Sequence, residues 1–267
     1  MALVHAPFGL AAALMLATSI LFLFFIILGG VTNHTPLNKT YFLQADTTGI
    51  EGAHDITQWT YLYSCGPNNE QCGSAHPAMP FGKVWAADAQ GAPPQLIGSY
   101  GGHTTSKYYY YMWRFGWVFY LIALFFEVCA FFTSFLACCG RLGSSIGGFV
   151  AMIAFVFLTI AVSLMTATFV RARNVFHNVG RDAQLGRYAF GFSWGALAAL
   201  LIALILLCAG ATRKGKSSKA DDGTTNGNVS SSGGGRGWRR GRNRRNRAGS
   251  FSKVNYEDGR ALDNVSA

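Results

Sequence analysis

The sequence predicts an all-α membrane protein: a four-transmembrane-helix bundle with a small, disulfide-bearing, partly β extracellular loop and a disordered cytosolic tail. Three observations carry this. Four apolar blocks, residues 8–30, 115–139, 146–170 and 188–210, each run about 23–25 residues, against the ~20 that cross the hydrocarbon core. The 267 residues are 51% hydrophobic and only 13% charged, about half the ~25% of soluble domains. Between the first two blocks, a polar stretch at 36–72 holds a sequon, Trp59 and two close cysteines. Four apolar blocks in so short a chain leave too little polar sequence to wrap them, which argues against buried helices of a soluble protein.

Each element follows in order. Residues 1–7 form a cytosolic N-terminus, and block 8–30 reads as an uncleaved anchor. Only His5 precedes it, its apolar core is too long for a signal peptide, and no A-x-A site follows. Residues 31–114 form the main outer loop, where Tyr, Phe, Trp and Thr at 39–46 and 58–65 predict short strands. Aromatic residues at 108–113, with Trp117 and Tyr120, predict a headgroup belt before the span 115–139. A tight cytosolic hairpin at 140–145 leads to the span 146–170, and a short basic outer loop, 171–187, to the span 188–210. Gly191, Gly195, Ala199 and Ala203 repeat at steps of four, a stripe that lets another helix approach closely, in this bundle or in a homo-oligomer. Residues 211–267 are a tail whose Gly/Ser/Asn linker, 220–235, cannot bury enough apolar surface to fold.

Charge counting does not settle sidedness. Arg141, Arg213, Lys214, Lys216 and Lys219 flank the spans on one side; Lys39, Lys107, Arg114, Arg171, Arg173, Arg181 and Arg187 flank them on the other. The positive-inside rule then leans against cytosolic termini. Cysteine chemistry is the better guide. Cys65 and Cys72 make sense as a bridged pair where disulfides persist, with Trp59 packed beside them. Asn33 and Asn38 open glycosylation sequons on that same side, Asn38 being farther from the membrane. Both termini are therefore expected in the cytosol.

The loop also carries a resemblance. Pro36-Leu37-Asn38-Lys39, Tyr41, Asp46-Thr47, Gly49-Ile50, Trp59-Thr60, Cys65, Cys72, Pro77 and Pro80-Phe81 resemble the first extracellular loop of the fungal Sur-seven/PalI family. These are four-span, distantly claudin-like plasma-membrane proteins, and the likeness covers about residues 8–210. The Gly-Leu-Trp signature of claudins is missing, so a junction role is not implied. The resemblance implies residence in eisosomes, contact with eisosome or cortical proteins, and roles in membrane organisation, endocytosis and cell-wall integrity.

Other residues invite chemistry. Glu127, midway along the second span, is costly in hydrocarbon and should face the bundle interior, tying helices through Thr159, Ser163 or Thr166, or serving as a proton or cation site. Cys138, Cys139 and Cys208 sit where spans reach the cytosolic face, as S-acylation sites often do. Arg236, Arg239, Arg240, Arg242, Arg244, Arg245 and Arg247 cluster in the tail. Tethered near an anionic leaflet, they favour lipid over nucleic acid. Arg245 and Arg247 also set up Ser250 as a phosphorylation site. The residues show no catalytic set, metal cluster or cofactor motif. The expected function is non-enzymatic organisation of a membrane microdomain. A signalling component, such as an ambient-pH sensor subunit using outer-loop histidines, is the alternative, and a transporter or channel the third reading.

Overall fold

The computed structural model describes residues 6–137 and 141–212. Four helices dominate: α1 (Ala6–Ile27), α2 (Lys107–Ala137), α3 (Arg141–Asn178) and α4 (Arg187–Thr212). Each contains a stretch long and apolar enough to cross a membrane. Helix α1 packs on α4 and α2, and α3 on α2 and α4, which closes a ring.

Alanines concentrate inside the ring, and many large apolar side chains face outward. Ala123, Ala130, Ala154, Ala161, Ala196 and Ala203 are buried, while Leu14, Phe125, Phe132, Phe149 and Ile205 are exposed. In lipid, helices gain nothing by hiding apolar surface from apolar tails, so close backbone approach holds them together. Part of the predicted stripe serves this packing. A Cβ at Gly195 would lie 3.2 Å from the Phe22 ring of α1, and Ala199 and Ala203 are buried. Gly191 stands off the stripe, with nothing within 4 Å.

Helices α2 and α3 outrun the expected spans. Helix α2 begins at Lys107 rather than residue 115, and α3 continues to Asn178 rather than residue 170. Charges that end a hydropathy window did not end the helices, because aromatic rings cover them. The Arg114 guanidinium lies 4.0 Å from the centre of the Tyr110 ring, and that of Arg171 lies 4.3 Å from Tyr108. At 1.5 Å per residue, helices of 31 and 38 residues reach about 46 and 57 Å, well beyond ~30 Å of hydrocarbon. Their projecting ends form a platform.

On that platform sits a four-stranded antiparallel sheet: β1 (Leu43–Asp46), β2 (Ile56–Trp59), β3 (Ser64–Cys65) and β4 (Ala183–Leu185), in the order β3-β2-β1-β4. The stretch 58–65, expected as one strand, is a hairpin. It turns where the Thr60 amide donates to the Tyr63 carbonyl at 2.9 Å and the Tyr63 amide to the Thr60 hydroxyl at 3.0 Å. Strand β4 was not expected at all, since three residues beside basic neighbours give no periodic signal. It comes from the second loop, so the sheet joins both loops.

Two glycines make the joins possible. Gly30 turns the chain out of α1 at φ +90°, a conformation that L side chains rarely adopt. Gly186 links β4 to α4 where its amide donates to the Phe42 carbonyl at 3.0 Å, and a Cβ there would overlap the Tyr41 carbonyl oxygen. Gly186→Ala should therefore cost about 1–3 kcal/mol by overpacking, whereas Gly191→Ala should cost nothing. Thermal unfolding of the two variants in detergent checks the contrast; equal midpoints would contradict it.

Candidate functional site at the sheet-bearing end

Strand alternation gives the sheet two unlike faces. Leu43, Ala45, Thr57 and Trp59 are buried on one face. The Trp59 ring is fully buried, stacks on Phe81 at 4.9 Å and 13°, and meets Trp85 edge-on at 6.4 Å. Its indole N–H donates to the Phe81 carbonyl at 2.9 Å, which satisfies its one polar atom. Phe81 in turn reaches Tyr109 and Trp113 of α2 and Phe169 of α3. The predicted headgroup belt is thus divided: Tyr109 and Trp113 point into this cluster, and Tyr111 stays exposed.

The opposite face carries the disulfide. Cys65 and Cys72 are bonded, and Cys65 pairs in register with Gln58, so the bridge lies across the sheet from the Trp59 ring rather than beside it. The closed loop presents Asn69. Its amide N–H donates to Gln58 Oε1 at 2.9 Å, and its side chain donates to the Leu37 carbonyl at 2.7 Å. Asn68 and Asn69 both take positive φ, which asparagine tolerates better than most residues. Leu37 belongs to the turn opened by Pro36, whose carbonyl accepts the Thr40 hydroxyl at 2.9 Å. Asn38 on that turn is partly exposed, and its side chain accepts a bond from Thr35 at 3.3 Å.

Arg181 and Tyr61 complete the assembly, and sequence reasoning singled out neither for this work. Arg181, from the second loop, donates to the carbonyls of Asp46 (3.3 Å), Thr48 (2.9 Å) and Gly91 (3.2 Å). Tyr61 stacks on Trp117 at 5.3 Å and donates to the Trp117 carbonyl at 2.7 Å, fixing the hairpin to α2. Burial pushes its phenol far above the ordinary range, and the nearby Tyr120 phenol adds to this. A basic position and a tyrosine between strands have no local pattern that marks them.

Glu127 is fully buried, as expected, but it faces α1 rather than the hydroxyls of α3. Thr159 and Thr166 donate to their own helix, at Phe155 and Val162, and Ser19 of α1 is the neighbour of the carboxyl. The Ser19 hydroxyl donates to the Ala196 carbonyl at 2.9 Å, so both Glu127 oxygens lack a hydrogen-bond partner among the described residues. Cys208 is an exposed free thiol near the far end of α4. Cys138, Cys139, the seven tail arginines and Ser250 lie outside the described residues. Among the described residues, no group of three or more His, Cys, Asp or Glu could hold a metal ion.

A lipid-facing four-helix ring topped by a sheet from both loops defines a four-span membrane protein. The SUR7/PalI family model matches residues 8–206, and the chain belongs to that family. It is 37% identical over 202 residues to Protein SUR7 of Candida albicans, covering 73% of this chain and 71% of that one. It is 34% identical over 203 residues to Protein SUR7 of Saccharomyces cerevisiae, covering 74% and 65%. A plasma membrane protein of Saccharomyces cerevisiae, described as uncharacterized, is 29% identical over 185 residues, covering 67% and 60%.

Two outcomes follow from the geometry. Cys72→Ser should release the Asn69 loop at a cost of about 2–3 kcal/mol, seen as faster amide exchange across 64–73 with the four helices unchanged. Asp46 gives a pH dependence. The Thr48 amide, donating at 2.9 Å, holds its carboxyl below the ordinary value, and Arg181 adds a smaller pull. A depressed carboxyl contributes stability above its unfolded pKa and loses it as pH falls through the folded one. Protection at 46–48, taken relative to the intrinsic exchange rate at each pH, should hold at neutral pH and fall below about pH 4. Asp46→Asn should abolish that step.

Proposed function

We propose that this protein is a non-enzymatic, multi-pass plasma-membrane protein that organises an eisosome-type microdomain, with effects on endocytosis, cortical organisation and cell-wall integrity. The observation that carries the proposal is the family match over residues 8–206, which spans both the bundle and the loop that builds the sheet. A relative described as a plasma membrane protein supports the location. The disulfide supports an extracellular sheet and cytosolic termini, because such bonds persist in oxidising surroundings. The apolar exterior supports lateral work among lipids and neighbouring helices.

In this reading the tail arginines hold anionic inner-leaflet lipids, phosphorylation of Ser250 loosens them, and acylation of Cys138, Cys139 or Cys208 favours ordered membrane. Glycosylation at Asn38 marks the extracellular side. Cortical proteins and further copies of the chain are the partners, and nucleic acid is not. Glu127, beside Ser19 of α1 and without a chain of polar partners, is a structural carboxyl packed inside the bundle and conducts nothing.

Imaging of a tagged chain beside an eisosome core marker tests the reading. Co-localised patches that fragment on deletion are expected, and Glu127→Gln should leave them intact. Loss of alkaline-pH signalling with patches intact would favour a sensor subunit instead, and an ion flux abolished by Glu127→Gln would favour a transporter.

A further inference from the structure

Three glutamines form one row across the sheet face opposite Trp59. Gln44 of β1 stands in direct register with Gln58 of β2 on one side and Gln184 of β4 on the other. Two of them are locked together. Gln58 Oε1 accepts the Asn69 amide at 2.9 Å, and Gln58 Nε2 donates to Gln44 Oε1 at 2.7 Å. That fixes Gln44 with its amide nitrogen turned onward along the row. The row then stops short: Gln184 is exposed, and neither its amide nor the Gln44 nitrogen has a partner among the described residues.

The unfinished row lies in a groove. A cavity of ≈ 600 Å³ flanks it, lined by Gln44 and Gln184 together with Asp46, Asp55 and Asp182. A second, of ≈ 240 Å³, shares Gln44 and Gln184 and adds Gln58, Tyr41, Lys39, Arg187 and Tyr188. Carboxylates at one end and cations at the other leave no single sign of charge, which disfavours a strongly charged chain. What fits is a ligand rich in hydroxyls, each able to give and accept a hydrogen bond as a primary amide does. Burial raises the Tyr41 pKa, against a smaller opposing pull from Arg187, so its phenol stays a neutral hydroxyl. Strands about 4.8 Å apart also space successive amides close to the spacing of rings in an extended sugar chain.

We propose that this groove binds a neutral, linear oligosaccharide, its hydroxyls met by Gln44 and Gln184 and its ring faces by Tyr41 and Tyr188. Only the place where such a sugar would be met rests on the extracellular orientation of the sheet. Calorimetry on the full chain in nanodiscs, where both membrane faces are open, therefore tests the groove apart from the orientation. The probes are laminarihexaose, chitohexaose and mannohexaose, with hexagalacturonate and calcium chloride as charged comparisons. Saturable binding of at least one neutral chain is expected. Gln184→Ala and Tyr188→Ala should each weaken it about tenfold, and Lys83→Ala, away from the groove, should not. Gln184 and Tyr188 are exposed, so these variants should fold, and unchanged helical content verifies this. The proposal is overturned if no neutral chain binds, if only the acidic chain or calcium gives a signal, or if Gln184→Ala binds as tightly as the natural chain.

Discussion

The burial of one indole, Trp59, against Phe81 is the contact on which the sheet-bearing half depends. A stack at 4.9 Å and an N–H···O bond at 2.9 Å fix the ring on two sides. Phe81 is packed in turn on Trp113 and Phe169, so one chain of rings runs from β2 to α2 and α3. Removing a buried tryptophan costs about 3–5 kcal/mol, a large share of an ordinary domain's margin. A sheet of strands two to four residues long has little independent stability. It exists because the projecting ends of α2 and α3 give its apolar face something to cover.

The membrane half obeys a different constraint. Its interior is rich in alanine, with larger side chains such as Leu16, Leu158, Met165 and Phe169 set between, because helices in lipid gain by fitting closely rather than by hiding grease. Glu127 stands out against that background, fully buried beside Ser19 with no hydrogen bond to its oxygens among the described residues. Such a group is expensive in hydrocarbon, and the surrounding ring shields it from lipid.

What the sequence made legible and what it hid divide along physical lines. Twenty-residue apolar runs reveal four spans, because a bilayer demands that length. Their ends were hidden: Arg114 and Arg171 read as loop charges, yet cover rings of continuing helices. The Cys65–Cys72 bridge was legible from redox chemistry. The contacts of Asn69 and Arg181 were not, since their partners are backbone carbonyls and an amide set by tertiary pairing. The glutamine row was hidden for the same reason, as Gln184 lies 140 positions from Gln44 in sequence and meets it only through β4.

Closed by Trp59, sheet and helices form one cooperative unit that presents a polar face above a lipid-facing bundle. Hydrogen exchange on the full chain in nanodiscs, with and without Trp59→Ala, tests it most directly. Amides of β1, β2 and β4 and of the projecting ends of α2 and α3 should exchange slowly together, and Trp59→Ala should release all of them while the membrane-embedded turns stay protected. Acceleration confined to β2, or a sheet that exchanges freely in the natural protein, would show that sheet and helices are not one cooperative unit.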